Sequence, residues 1–151
     1  MRRRAHHRPL FQGSFMKIFF AGSIRGGRQL IPTYQYIVGF LKSHDQAVMS
    51  EHVTSKDLEK TEAKMPENDI FEKDINWIKE ADCVIAEITV PSIGVGYEIC
   101  YAVTLGKPVL CLYEKGAKAS AMVLGNREVT ANQYSDKVEL EQVLLDFMGV
   151  C

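Results

Sequence analysis

Two short stretches combine residues that bind anions with residues that do acid–base chemistry. The first is Ile18-Phe-Phe-Ala-Gly-Ser-Ile-Arg-Gly-Gly27 and the second is Pro91-Ser-Ile-Gly-Val-Gly-Tyr-Glu98. Each runs from an apolar strand pattern into a loop of Gly and Ser. Small residues let a backbone approach an anion closely, and the N–H groups of a helix start favour phosphate. The first loop carries a cation, Arg25; the second ends in a carboxylate, Glu98. A carboxylate beside a phosphate site is electrostatically out of place unless it acts on the rest of the ligand. A second carboxylate, Asp74, lies in a helical pattern with Ile70, Phe71, Ile75, Trp77 and Ile78. Two carboxylates near a phosphate suggest glycoside chemistry, in which one attacks the anomeric carbon and the other handles a proton.

The elements that must position these residues follow from hydrophobic periodicity. Residues 17–21, 47–49, 83–88, 109–113 and 128–134 read as strands. Helical spacing starts at Pro32 and at Pro66, and spans 94–105, 119–124 and 138–148; Gly106 is a stop signal before Lys107-Pro108. Residues 54–65 read as a polar loop. Alternating strands and helices imply an α/β fold: a flavodoxin-like five-stranded parallel sheet of order 2-1-3-4-5 with helices on both faces. Ligands of such sheets sit at the carboxyl ends of the strands, where strand order reverses. That point lies between the first and third strands, so the two loops meet in space.

Bulk properties bound the function. The chain has 151 residues, 46% hydrophobic and 25% charged, with a formal net charge of −1. These values fit one globular domain, expected over residues 16–151 after a basic, disordered tail over 1–15. They give no electrostatic reason to expect nucleic acid or an anionic membrane as partner. No apolar run is long enough to span a bilayer. Cys83, Cys100, Cys111 and Cys151 lie far apart without a C-x-x-C motif, which reads as buried free thiols in a reducing compartment: the cytoplasm, with the nucleus as the alternative.

Each motif also has a plainer reading. Gly22-Ser23-Ile24-Arg25-Gly26-Gly27 lacks P-loop and dinucleotide spacing and, alone, equally suits a flexible turn. The same holds for Ser92 with Gly94 and Gly96. Glu98 could be a solvated side chain or a partner of Arg25. Asp74 could face water. His52 could reach the same rim, although such a His is more often structural. Trp77, Tyr34 and Tyr101 suit the core.

Seven blocks in order resemble the 2'-deoxynucleoside 5'-phosphate N-hydrolases of the nucleoside 2-deoxyribosyltransferase superfamily. They are Phe20-Ala-Gly-Ser-Ile-Arg-Gly-Gly27, Glu51-His-Val53, Glu72-Lys-Asp-Ile-Asn-Trp77, Ala81-Asp-Cys-Val-Ile-Ala-Glu87, Pro91-Ser-Ile-Gly-Val-Gly-Tyr-Glu98, Gly106-Lys-Pro-Val-Leu-Cys-Leu112 and Ser120-Ala-Met122. The resemblance implies cleavage of the N-glycosidic bond of nucleoside monophosphates through a covalent glycosyl-enzyme, without metal or redox cofactor. It implies Glu98 as nucleophile and Asp74 as the acid assisting the leaving base. It implies Ser23, Ser92 and Ser120 on the 5'-phosphate, the last from a neighbouring subunit of a homodimer, with Gly22, Arg25 and Gly94 in the matching loops. Phe19, Ile24 and His52 fall on the sugar and base side. Phe19 stands where these hydrolases carry Tyr, a change expected to move preference toward ribose. Base exchange between nucleosides, and nucleotide binding without turnover, are the rival functions.

Overall fold

The computed structural model describes residues 15–24, 29–49 and 64–151. Five strands, β1 (Lys17–Gly22), β2 (Ala47–Met49), β3 (Cys83–Glu87), β4 (Val109–Glu114) and β5 (Val129–Tyr134), form one sheet. Every pairing is parallel and the order is β2-β1-β3-β4-β5, as the sequence predicts. The connecting helices are α1 (Ile31–Ser43), α2 (Glu67–Glu80), α3 (Ile93–Thr104), the single-turn α4 (Ala121–Leu124) and α5 (Lys137–Val150).

The central strands β1, β3 and β4 are apolar at almost every position because both faces are covered, whereas the edge strand β5 carries Thr130, Asn132 and Gln133 and buries only Tyr134. Alternate residues of β1 divide between two cores. Ile18 and Phe20 pack with Tyr34, Ile37 and Leu41 of α1 and Leu140, Leu144 and Phe147 of α5. Phe19 and Ala21 pack with Ile78 of α2 and Val95, Ile99 and Ala102 of α3. Tyr34 is fully buried, as expected of a core residue; Trp77 and Tyr101 are partly buried against the second core. Gly106, at φ +72°, ends α3: its N–H donates to Val103 O and that of Lys107 to Ala102 O. This left-handed turn confirms the stop signal.

Three expectations need adjustment. The strand predicted over 83–88 ends at Glu87, and the helix predicted from 119 begins at Ala121, because Ser120 is its cap, accepting the Met122 N–H at 3.2 Å. The cysteines are not all buried: Cys83 and Cys111 are, but Cys100 and Cys151 are exposed. Cys100 follows Ile99 on α3, whose buried stripe is Val95, Ile99 and Ala102, so it falls on the wet face. Burial pushes the Cys111 thiol up to about 12. Among the described residues no helix is long and apolar enough to cross a membrane.

Candidate active site

A cavity of about 680 Å³ opens at the carboxyl ends of β1 and β3, where strand order reverses. One wall comes from the β1 loop, through Gly22 and Ile24. A second comes from α2, through Glu67, Ile70, Phe71 and Asp74. The third is the β3–α3 connection with the start of α3: Pro91, Ser92, Ile93, Gly94, Val95 and Glu98. Both candidate carboxylates therefore face one space, although 24 positions separate them in sequence.

Local structure explains each placement. β3 ends at Glu87 and the chain turns through residues 88–92 into α3. Ser92 caps that helix, its Oγ accepting the Val95 N–H at 3.3 Å. Val95 and Ile99 anchor α3 to the core. Gly94 and Glu98, four residues apart, share a helix face, and both line the cavity. A Cβ on Gly94 would meet only Ser92 Oγ, at 3.9 Å, so packing does not demand glycine there; the missing side chain enlarges the cavity. Gly22 differs. A Cβ there would lie 2.8 Å from Tyr34 Cζ, so the Tyr34 ring needs glycine at the end of β1. Tyr34 Oη in turn accepts the Ser23 N–H at 3.1 Å, fixing the departure of the β1 loop.

Asp74 reaches the cavity because Ile75 and Ile78 hold α2 on the core. It is half-buried, and its Oδ1 is shielded from solvent. Phe71, one turn earlier on the same helix, lines the cavity and packs edge-on against Tyr97, with ring centroids 6.1 Å apart. The sequence shows Ile70 and Phe71 as part of the helical pattern around Asp74 but gives neither of them a place in the site. Their i, i+3 and i, i+4 relation to Asp74 was the signal that they share its face.

The other predicted residues are distributed as follows. Ser23 is fully buried and does not line the cavity. Phe19 is also fully buried, in the core layer under α2 and α3 rather than in the cavity wall. Ser120 lines a neighbouring cavity of about 660 Å³ with Lys118, Met122 and Asn126; the two cavities share Pro91, Ser92, Ile93 and Val95. Arg25 and His52 lie outside the described residues, as does most of the polar loop. Among the described residues no cluster of His, Cys, Asp or Glu has the makings of a metal site.

One titratable group was not singled out from sequence. Glu87 is 0% exposed at the end of β3. Its carboxyl accepts the Thr89 N–H at 2.6 Å, the Thr89 hydroxyl at 2.9 Å and the Tyr134 hydroxyl. Burial pushes this carboxyl above its ordinary range; the Tyr134 and Thr89 hydrogen bonds pull the other way, and nearby Glu114 adds to the rise. The visible signal was a carboxylate ending an otherwise wholly apolar strand.

The family profile described as nucleoside 2-deoxyribosyltransferase matches residues 18–143. A Methanosarcina barkeri protein provisionally named 2'-deoxynucleoside 5'-phosphate N-hydrolase 1 is 48% identical over 134 residues, 87% of this chain and 84% of its own length. The 5-hydroxymethyl-dUMP N-hydrolase of Rattus norvegicus is 43% identical over 134 residues, 85% of this chain and 82% of its own. The structure of a Clostridium botulinum CMP N-glycosidase superposes with a TM-score of 0.65 at 23% identity, covering 85% of this chain and 96% of that one, a likeness of fold. The chain belongs to the nucleoside 2-deoxyribosyltransferase family, and within it to the group of 2'-deoxynucleoside 5'-phosphate N-hydrolases.

Proposed function

We propose that this protein hydrolyses the N-glycosidic bond of (2'-deoxy)nucleoside 5'-monophosphates, releasing free base and (deoxy)ribose 5-phosphate. The observation that carries the reading is the convergence of Glu98, Asp74, Ser92, Gly22 and Gly94 on one cavity at the switch point of the sheet. Glu98 attacks the anomeric carbon, and the bond from that carbon to the base nitrogen breaks. The electron pair leaves with the base, which takes a proton from Asp74. Water then attacks the anomeric carbon and gives a proton to Asp74, the ester bond to Glu98 breaks, and both carboxyl groups return to their starting states. Splitting the displacement in two is what a positioned carboxylate permits. The capped start of α3, with Ser92 and the loop of Ser23 and Arg25, receives the 5'-phosphate. Ile70 and Phe71, beside Asp74, wall the base.

The phosphate site is completed by a second copy that supplies its own Ser120, in a homodimer with shared sites. Exposed apolar side chains support this reading: Ile93, which lines both cavities, is 96% exposed, Met122, which lines the second, is 86% exposed, and Tyr97 and Leu124 are exposed as well. Such a patch on a small protein calls for a partner.

The test is incubation with a panel of ribo- and deoxyribonucleoside monophosphates and the matching nucleosides, with free base quantified. Steady base release from monophosphates, and far less from nucleosides, is expected. Saturable binding without release would replace the hydrolase by a binding module. Transfer of the sugar to an added second base, in preference to water, would replace it by base exchange. For the dimer, mixing Glu98→Ala with Ser120→Ala protein should regain activity that neither has alone; no regain would remove the shared site.

A further inference from the structure

We propose that Glu87 is a positioning residue for this reaction: its carboxyl holds Thr89, and through the turn of residues 89–92 it sets where the cap of α3 presents Ser92 and Glu98 to substrate. The inference rests on the hydrolase reading above. It starts from the side chain's unusual place. Alternation along β3 sends Cys83 and Ile85 to the core under α1 and α5, and Glu87 follows them, away from α3. An apolar side chain of similar size would fill that position without the cost of burying an acid. What the acid adds is direction.

The hydrogen bonds show which direction. Thr89 Oγ1 accepts the Glu114 N–H at 2.9 Å, so its own proton goes to Glu87 Oε2. The Thr89 N–H goes to Oε1. One carboxyl thus grips Thr89 at two points, and the Tyr134 hydroxyl from the end of β5 adds a third donor. Ends of three strands are fixed by one group. Three residues beyond Thr89, Ser92 caps α3, and six beyond that stands Glu98. An amide cannot copy the grip. With its oxygen on the Thr89 N–H, its NH₂ faces the two hydroxyls, which must then accept, and their own protons lose the carboxyl that received them; turned the other way, its NH₂ meets the Thr89 N–H, donor against donor.

The experiment compares Glu87→Gln with Gln46→Leu. Gln46 is the other buried long polar side chain among the described residues, and it sits at the opposite end of the sheet, where its Oε1 accepts the Met16 N–H at 2.7 Å. A role confined to stability lowers the active fraction: kcat falls for nucleotide and nucleoside alike and KM stays, which is the expected behaviour of Gln46→Leu. Positioning predicts that Glu87→Gln raises KM for the monophosphate and cuts its kcat/KM advantage over the nucleoside about tenfold, the size of one ordinary hydrogen bond. Thr89→Val should repeat the effect and Thr89→Ser, which keeps the hydroxyl, should restore most of the advantage; this pair carries the test if Glu87→Gln does not fold. Calorimetric binding of deoxyribose 5-phosphate should weaken in the same order, a readout that needs no turnover. If wild-type protein releases no base, the hydrolase reading fails while the binding series still judges Glu87. If the nucleotide advantage and sugar-phosphate affinity survive both Glu87→Gln and Thr89→Val, the positioning role is overturned.

Discussion

The two ends of the same sheet use polar side chains in opposite ways. At the amino end Gln46, Asp82 and Lys107 close on the chain's own backbone. Gln46 accepts from the Met16 N–H and donates to His44 O at 2.9 Å. Asp82 accepts the Lys17 N–H at 2.8 Å. Lys107 Nζ donates to Lys79 O and Ala81 O, satisfying carbonyls at the end of α2. At the carboxyl end, Asp74 and Glu98 instead border an open cavity with Ser92, and the backbone is anchored from behind by Glu87. Residues of the same types thus stabilise the fold at one end and face a ligand-sized space at the other. In a parallel α/β sheet this division follows from topology, because loops diverge only where strand order reverses.

The comparison breaks most sharply at Glu98. Glu98→Ala should reduce base release to background while the melting temperature stays near that of the wild type, since the side chain borders a cavity rather than filling the core. A folded Glu98→Ala protein with near wild-type turnover would end the proposed mechanism. Asp74→Asn should come next, with a loss of ~10²–10⁴-fold typical of removing proton transfer. The loss should shrink for leaving bases that need no proton. An equal loss for activated and ordinary bases would make Asp74 a positioning group.

Ser92→Ala sharpens the comparison because Ser92 belongs to both regimes. As a cap its loss costs about 0.5–2 kcal/mol of stability. Asp82→Ala at the amino end removes an acceptor and should cost a similar amount. Only Ser92→Ala should also raise KM for monophosphates while barely changing nucleoside kinetics. Parallel behaviour of the two variants would mean that the capped end of α3 has no special relation to phosphate.

A smaller effect separates the two buried long polar groups by pH. Burial holds the Glu87 carboxyl above its ordinary value of 4.5, with Glu114, Tyr134 and Thr89 as its neighbours. The folded chain therefore keeps this proton to a higher pH than the unfolded chain. Stability falls as pH rises from 4.5 through the folded value, by the linkage between proton binding and folding. Glu87→Gln has no such proton, so its stability relative to wild type should improve across that window, whereas Gln46→Leu should run parallel to wild type. Chemical denaturation from pH 4 to pH 8 measures this directly; parallel curves for Glu87→Gln and wild type would show that the carboxyl ionises in the fold as easily as outside it.

Much of the fold was legible because its determinants are local and repetitive. Strands apolar at both parities must be covered on both faces, and Gly106 can stop a helix only by taking a left-handed turn. The meeting of Gly22 with the loop before Glu98 was legible too, through the strand order that parallel connections allow. What periodicity cannot supply is depth. It assigns a face to Phe71 but not its place on a cavity rim, and it did not anticipate that Cys100 would be exposed. Nor does it say what a buried acid grips: Glu87 meets Tyr134 47 positions on, a pairing that exists only once β4 lies between them.

Phe19 tests the border between the two regimes and should give the smallest change. It is the third of six residues in β1, fully buried with Ile78, Val95 and Ile99, one layer of core that the helices of the cavity rest on. Phe19→Tyr adds one hydroxyl to that layer. If the hydroxyl stays in the core unpaired, it costs roughly 1–3 kcal/mol of stability and alters no specificity. If it reaches Glu98, it hydrogen-bonds the carboxylate and crowds a ribose 2'-hydroxyl, and preference moves toward deoxyribonucleotides. In that second case the wild-type Phe leaves that partner to the sugar, and a ribose supplies what a deoxyribose lacks. We expect appreciable ribonucleotide hydrolysis by the wild type, and a several-fold shift toward the deoxy sugar in Phe19→Tyr, within the worth of one such hydrogen bond. The measurement is kcat/KM for one base in both sugar forms, before and after substitution, alongside the melting temperature. A stability loss with an unchanged sugar ratio would assign Phe19 wholly to the core. A wild type that ignores ribonucleotides would remove it from sugar selection altogether.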